Sequence, residues 1–244
     1  NDSAYLNRTP SSAGNRKTWT WSGWVKRSSL FGDNFIFGAG SGFMGGGAHS
    51  AVLFQGDMKF QVYDYSGSAF AYRFRTTTVF RDPSAWYHLV VAIDTTQSAQ
   101  ADRVKMYVNN VLQDSFDQTT YASQNYETYV NNSSTSHQIG HSNADTFDGY
   151  LAEVNFVDGQ QLAPTDFGEY DSNNVWQPKE YSGTYGTNGF RLSFADNSSN
   201  SALGNDSSGN SNTWTVNNLT ATVDTVYSAT SSGMSSPGLM FDGD

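Results

Sequence analysis

The sequence predicts an all-β protein folded as a sandwich of two antiparallel sheets. Three observations predict it. The chain carries 16 Phe, 14 Tyr and 6 Trp among 244 residues, so large strand formers are plentiful. They fall in short runs separated by Gly, Ser, Asn and Asp, which is the pattern of short strands and turns. Long apolar runs at helical spacing are absent. Hydrophobic residues make up only 37% of the chain, yet aromatic side chains bury enough area each to fill a core.

The elements follow in order. In the run from Thr18 to Lys26, Trp19, Trp21, Gly23 and Val25 share one face. Residues 38–49, with Gly45, Gly46 and Gly47 at their centre, read as a flexible connection. They are no phosphate loop, because no Gly-Lys-Ser/Thr follows. Residues 50–80 read as a three-stranded meander. From Trp86 to Asp94, Tyr87, Leu89, Val91 and Ile93 form one face, while His88, Val90 and Ala92 form a second apolar one. A strand buried on both faces belongs mid-sheet. Asn109-Asn110 is a two-residue hairpin signal, since Asn tolerates the left-handed conformation. Residues 117–136 read as a surface loop, and residues 137–140 as a short strand.

Residues 147–169 are the most informative stretch. Tyr150, Ala152, Val154 and Phe156 alternate with Leu151, Glu153, Asn155 and Val157, as in one regular strand. Asp158-Gly159 supplies turn chemistry, and Thr165 and Asp166 can cap a brief helical turn after Pro164. A Ser/Asn-rich connection follows, then strands at Gly189–Ala195 and Thr213–Val216. Residues 1–222 read as one domain. Residues 223–244 read as a linker that ends on a strand without a partner, so further polypeptide is expected beyond Asp244, and also before Asn1.

Composition excludes several functions. The chain has no Cys, so disulfides, thiolate nucleophiles and Cys metal sites do not arise. A net charge of −10 opposes binding to nucleic acid. No apolar run approaches a membrane span, so no membrane insertion is expected. His49, His88, His137 and His141 are scattered. The acidic residues are 19 Asp against 4 Glu, a bias that suits turns, caps and hard-cation sites. Asp206 and Asn210 in a Gly-containing loop offer oxygen ligands to calcium, or form an Asx turn that caps the loop. Tyr63, Tyr65 and Tyr72 surround a turn, and Tyr126 lies on the long loop. These tyrosines could hold a sugar, or serve ordinary strand packing and protein contacts.

Three pieces in order carry a family resemblance. The Trp19–Lys26 strand, the Trp86–Asp94 strand followed by Lys105-Met-Tyr-Val-Asn-Asn110, and residues 147–169 resemble the early strand, central hairpin and closing strand of concanavalin A-like, laminin G-like jelly rolls. A fourth, Asp206-Ser-Ser-Gly-Asn-Ser-Asn212, resembles a loop that usually precedes the first Trp strand in such domains. Its place here implies a circular permutation. The resemblance implies calcium at this loop, with Glu153 as a further ligand, although Ser211 stands where the family often has Gly. Laminarinase-type glycosidases of the superfamily use a Glu-x-Asp-x-x-Glu strand. Glu153 is followed by Val154 and Asn155, so no enzymatic activity is expected.

The form ending in Ala163-Pro-Thr-Asp-Phe-Gly168, with Asn173 to Leu192 after it, is similar to bacteriophage virion proteins. It implies a structural fibre or capsid-decoration module on the virion surface. Other virion proteins would then be partners, a homotrimer is one assembly to expect, and host-surface glycan is a target for attachment. A calcium-dependent, lectin-like carbohydrate-binding module is the alternative function, and a glycoside hydrolase the remote one.

Overall fold

A computed structural model describes residues 4–40, 47–142 and 145–221, and the backbone of 225–226 and 238–241. The chain forms strands β1 (Tyr5–Arg8), β2 (Thr18–Arg27), β3 (Asn34–Gly40), β4 (His49–Phe54), β5 (Lys59–Tyr65) and β6 (Phe70–Val79). It continues through β7 (Tyr87–Asp94), β8 (Val104–Val108), β9 (Val111–Leu112), β10 (Phe116–Thr120), β11 (His137–Ile139) and β12 (Gly149–Asp158). The remaining strands are β13 (Gly168–Tyr170), β14 (Trp176–Pro178), β15 (Phe190–Leu192), β16 (Thr215–Asn217), β17 (Thr225–Val226) and β18 (Gly238–Phe241).

Two antiparallel sheets face each other. One runs β10-β6-β5-β4-β3-β11-β1-β16, the other β17-β18-β12-β2-β7-β8-β9, with β15 also on β12. The all-β sandwich is as expected. The core lies between the sheets. Trp19, Trp21 and Val25 of β2, Leu89, Val91 and Ile93 of β7, and Phe54, Phe60, Val62 and Phe74 of the facing sheet form one buried cluster. Arg27 is buried at the end of β2, its guanidinium 4.2 Å from the centre of the Phe54 ring.

The second apolar face of β7 is covered by the segment after β12. Val90 packs with Val157, Phe167, Tyr181 and Tyr185. Trp24 and Ala152 pack with Trp86 and Trp176. Trp176 is held by the β13–β14 hairpin, which the loose Ser/Asn-rich reading of this segment missed.

Four expectations need correction. First, β12 does not alternate regularly. Its register against β2 shifts between Ala152 and Asn155, and Glu153 adopts φ +48°. This bulge lets Leu151 and Val154, three apart, both join the core. It also divides the strand's other edge, with β18 on Gly149–Leu151 and β15 on Val154–Phe156. Second, β18 therefore has partners in this chain, β12 and β17.

Third, residues 117–136 are not simply a surface loop. Phe116–Thr120 is a strand on β6. Ala122, Thr128, Val130 and Asn131 are buried beyond it. Trp19 Nε1 donates to Thr128 Oγ1 at 3.0 Å, which pins the segment over the core mouth. Fourth, Tyr72 is fully buried rather than placed around a surface turn. Of the glycine-rich connection, residues 41–46 lie outside the described residues. The Asn109-Asn110 hairpin forms as expected, with φ +49° and +67°. The two ends of the domain meet where β1 pairs with β16, Tyr5 opposite Asn217.

Candidate functional site

The Asp206 loop is built on Asx chemistry. Asp206 Oδ1 accepts from the backbone N–H of Arg191 at 2.9 Å and of Ser208 at 2.8 Å. Oδ2 accepts from Ser208 Oγ at 2.9 Å and from Asn212 N–H at 2.8 Å. Asn210 donates through Nδ2 to the carbonyls of Gly186 and Gly189. Ser211 takes φ +61°, the left-handed conformation in which Gly carries no steric penalty.

Glu153 does reach this region, but through a cation. Its carboxylate accepts from Arg191 Nε at 3.0 Å, and Arg191 also pairs with Glu180. Of the three expected calcium ligands, Asp206 and Glu153 thus both meet Arg191, while Asn210 is turned to the carbonyls of Gly186 and Gly189. They do not form an oxygen cage. The Asp206 carboxylate is spent on four donors, and a guanidinium sits where a cation would bind Glu153. Among the described residues, no group of three or more His, Asp or Glu side chains could hold a metal ion. The donor set as arranged does not fit calcium, because the Asp206 and Glu153 carboxylates that would lead its oxygen shell are turned to N–H, O–H and guanidinium donors.

The four tyrosines separate into two pairs. Successive residues of β5 point to opposite faces, so Tyr63 and Tyr65 face outward and Asp64 inward. Tyr72 lies opposite Asp64 in the register and points the same way, into the core. Tyr126 reaches Asp64 from the long loop, donating its hydroxyl to Oδ1 at 2.7 Å. Ser50 Oγ at 2.5 Å and Tyr129 N–H at 3.1 Å donate to Oδ2. Burial raises the Asp64 carboxyl's pKa against these three donors. Tyr72 is thus inside the core and the Tyr126 hydroxyl is committed to Asp64, whereas Tyr63 and Tyr65 stand together on the outer face.

Those two line a groove on the outer face of β4, β5 and β6. The cavity is about 240 Å³ and includes His49, Phe70, Gln61, Arg73 and Asp33. The rings of Tyr63 and Phe70 meet edge to face at 5.4 Å, and Tyr65 lies 5.2 Å from Phe70. His49 Nδ1 lies 2.8 Å from the carbonyl of Gly47 and so carries the proton there. Its Nε2 then accepts from the Tyr63 hydroxyl at 2.9 Å. Burial, followed by the charges of Asp145 and Asp33, keeps that hydroxyl protonated far above neutral pH. Its oxygen lone pairs remain to accept from a ligand. At the other end, Arg73 stacks on Phe70 at 4.5 Å and donates from Nε to Gln61 Oε1 at 3.0 Å.

Aromatic faces beside fixed polar groups can hold a small polyhydroxylated ligand. The cavity is below the range for drug-sized molecules, so the fit is to one ring of such a ligand. The sequence reading missed His49, Gln61 and Arg73. Strand parity was the available signal, because Gln61, Tyr63 and Tyr65 are two apart on β5. A wider cleft, about 760 Å³, runs beside β16 and is lined by Asn200, Asn205, Trp214 and Asn218. It offers no aromatic face, because the Trp214 ring is buried against Phe190.

The groove can be set beside known proteins. No curated protein matches the chain. Among solved structures, a candidate carbohydrate-binding protein from Bacteroides ovatus superposes with a TM-score of 0.56 at 13% identity, over 88% of this chain and 55% of that one. The SAP-like pentraxin of Limulus polyphemus gives 0.47 at 12% identity, over 66% of this chain and 72% of that one. Domain 4 of the arabinanase AbnA from Geobacillus stearothermophilus, solved with arabinotriose, gives 0.46 at 21% identity, over 62% and 65%. At 13% identity the likeness to the Bacteroides ovatus protein is one of fold alone. Residues 1–164 match the laminin G-like family model of the concanavalin A-like lectin/glucanases superfamily, and the chain belongs to that family.

Proposed function

We propose that this domain is a carbohydrate-binding module, and that the groove of Tyr63, Tyr65, Phe70 and His49 is its sugar site. The observation that carries this reading is the groove itself. Three partly exposed aromatic rings in mutual contact stand beside hydrogen-bonding side chains held in fixed positions. Family membership agrees with it, and the Bacteroides ovatus neighbour is named for carbohydrate binding. The module acts without catalysis. Glu153 is buried and ion-paired with Arg191, so it is not poised as an acid or a nucleophile. Attachment of a virion to host-surface glycan is the setting we infer for this binding, on the resemblance of residues 147–192 to bacteriophage proteins.

A glycan array tests the proposal. The wild-type domain should bind a defined set of glycans, and Tyr63→Ala with Tyr65→Ala should lose about 10-fold or more in affinity, since each ring face contributes on the order of 1 kcal/mol. Wild-type binding that survives both substitutions would place the sugar elsewhere.

A further inference from the structure

The groove contains a second recognition element, the guanidinium of Arg73. Most arginines of this acidic chain are committed. Arg16 pairs with Glu127, and Arg191 with Glu153 and Glu180. Arg103 spends all three of its nitrogens on the carbonyls of Gln97, Ser98 and Ala122. Arg75, two residues along the same strand and on the same face, gives Nε and Nη2 to Asp117 and Nη1 to Gln55. Arg73 differs. Only its Nε is used, by Gln61. Its Nη1 and Nη2 donate to no described residue, and it has no carboxylate partner among them.

The fork is nevertheless held in place. Phe70 stacks under its plane at 4.5 Å and Gln61 fixes its Nε edge. A guanidinium fixed at one edge and on one face presents its other nitrogens as a planar pair of donors. That geometry matches a carboxylate, which accepts two parallel hydrogen bonds. Arg73 and the aromatic rings line the same cavity. Asp33, the carboxylate in this cavity, is turned to other use and accepts from Gly56 N–H at 2.8 Å.

We infer that the groove selects acidic sugars: Tyr63, Tyr65 and Phe70 take the ring, and the fork of Arg73 takes its carboxylate. This rests on the carbohydrate-binding reading above and specifies its ligand class. The chain's net charge of −10 makes a general attraction for anions implausible as the source of such selectivity. The preference would come from the local fork alone.

The probes are an oligosaccharide ending in a carboxylate-bearing sugar, its carboxyl methyl ester, a neutral analogue and a sulfated analogue. Each is titrated against wild type, Arg73→Gln and Arg73→Lys by calorimetry. The acid should bind wild type best. Arg73→Gln should weaken the acid by about 10- to 100-fold, the range of one lost charged hydrogen-bond pair, and leave the ester nearly unchanged. Arg73→Lys should fall between, because it keeps charge but not the fork. Unchanged melting temperatures would exclude a folding defect in either variant. Equal binding of acid and ester, or preference for the sulfated or neutral probe, overturns the acidic-sugar assignment and leaves the sugar site standing. Failure of the wild type to bind any of the four, or any glycan on an array, overturns both.

Discussion

Acidification from pH 7 to pH 5 should cost this fold about 4 kcal/mol through two histidines, at about 1.4 kcal/mol per pH unit for each. His88 is fully buried in the second layer, stacked on Trp24 at 4.9 Å. Trp176 Nε1 donates to its Nδ1 at 3.1 Å, so the ring proton sits on Nε2 and points to Ser22 Oγ at 2.9 Å. His137 is buried on β11. Its Nε2 accepts from Asn131 N–H at 2.8 Å, and its Nδ1 donates to the Thr135 carbonyl at 3.0 Å. In each ring a second proton would face an N–H donor. Burial depresses His88 to about 3 and His137 to about 4.

A depressed histidine stabilises the fold above its unfolded pKa of about 6.5, and that stability is lost as pH falls toward the folded value. At pH 5 each ring is still neutral when folded but charged when unfolded. The loss is about 2 kcal/mol for each ring between pH 6.5 and 5. Asp64 and Asp145 have the opposite sign. Their raised carboxyls bind protons more readily in the fold, so they soften the decline as pH drops toward their own titration. Urea unfolding at pH 7, 6 and 5 measures the slope, and His88→Gln should reduce it by roughly half. A stability that stays flat from pH 7 to 5, or either imidazole titrating near 6.5 in the folded protein by NMR, would refute the reasoning.

Two further outcomes follow from the Asp206 loop. Ser211→Gly should raise stability by about 0.5–1 kcal/mol, because relief of the left-handed strain exceeds the added freedom of the unfolded chain. In a domain of this size that is a rise of about 1–4 °C in Tm, and a lower Tm would show that the Ser211 side chain contributes something the backbone geometry does not reveal. Addition of EDTA should leave Tm unchanged, since Asp206 is filled by four internal donors; a drop on chelation, reversed by calcium, would show that the loop rearranges around an ion.

The fold was largely legible because its signals are local. Trp19, Trp21 and Val25 follow period two, and β7 shows two apolar faces, so core and mid-sheet position could be read directly. The bulge at Glu153 could not. The same letters fit a regular strand, and the partners that lie on either side of the shift, β15 and β18, arrive from far along the chain. The site was half legible for a related reason. Tyr63 and Tyr65 share a parity on β5, but assigning Tyr72 required the register between β5 and β6, in which it lies opposite Asp64. Arg73 then falls opposite Tyr63. Nothing local in the sequence separates Arg73 from Arg75; the placement of Asp117 on β10, with Gln55 and Asp57 beside it, does.

The excess of Asp also has an explanation that does not need cations. Asp64 joins β5 to the loop carrying Tyr126 and Tyr129. Asp158 accepts from Asn15 N–H, Asn131 Nδ2 and Asn188 N–H, and so gathers three remote segments at the end of β12. Asp206 holds its own loop to Arg191 of β15. In each case a short carboxylate satisfies donors that irregular chain would otherwise leave unpaired. A sandwich with long connections has many such donors and few regular partners for them. Glu, with one more rotatable bond, would order less readily in these positions. The bias of 19 Asp over 4 Glu is therefore what a loop-rich fold of this kind selects, and the calcium-like spacing around Asp206 is one instance of it.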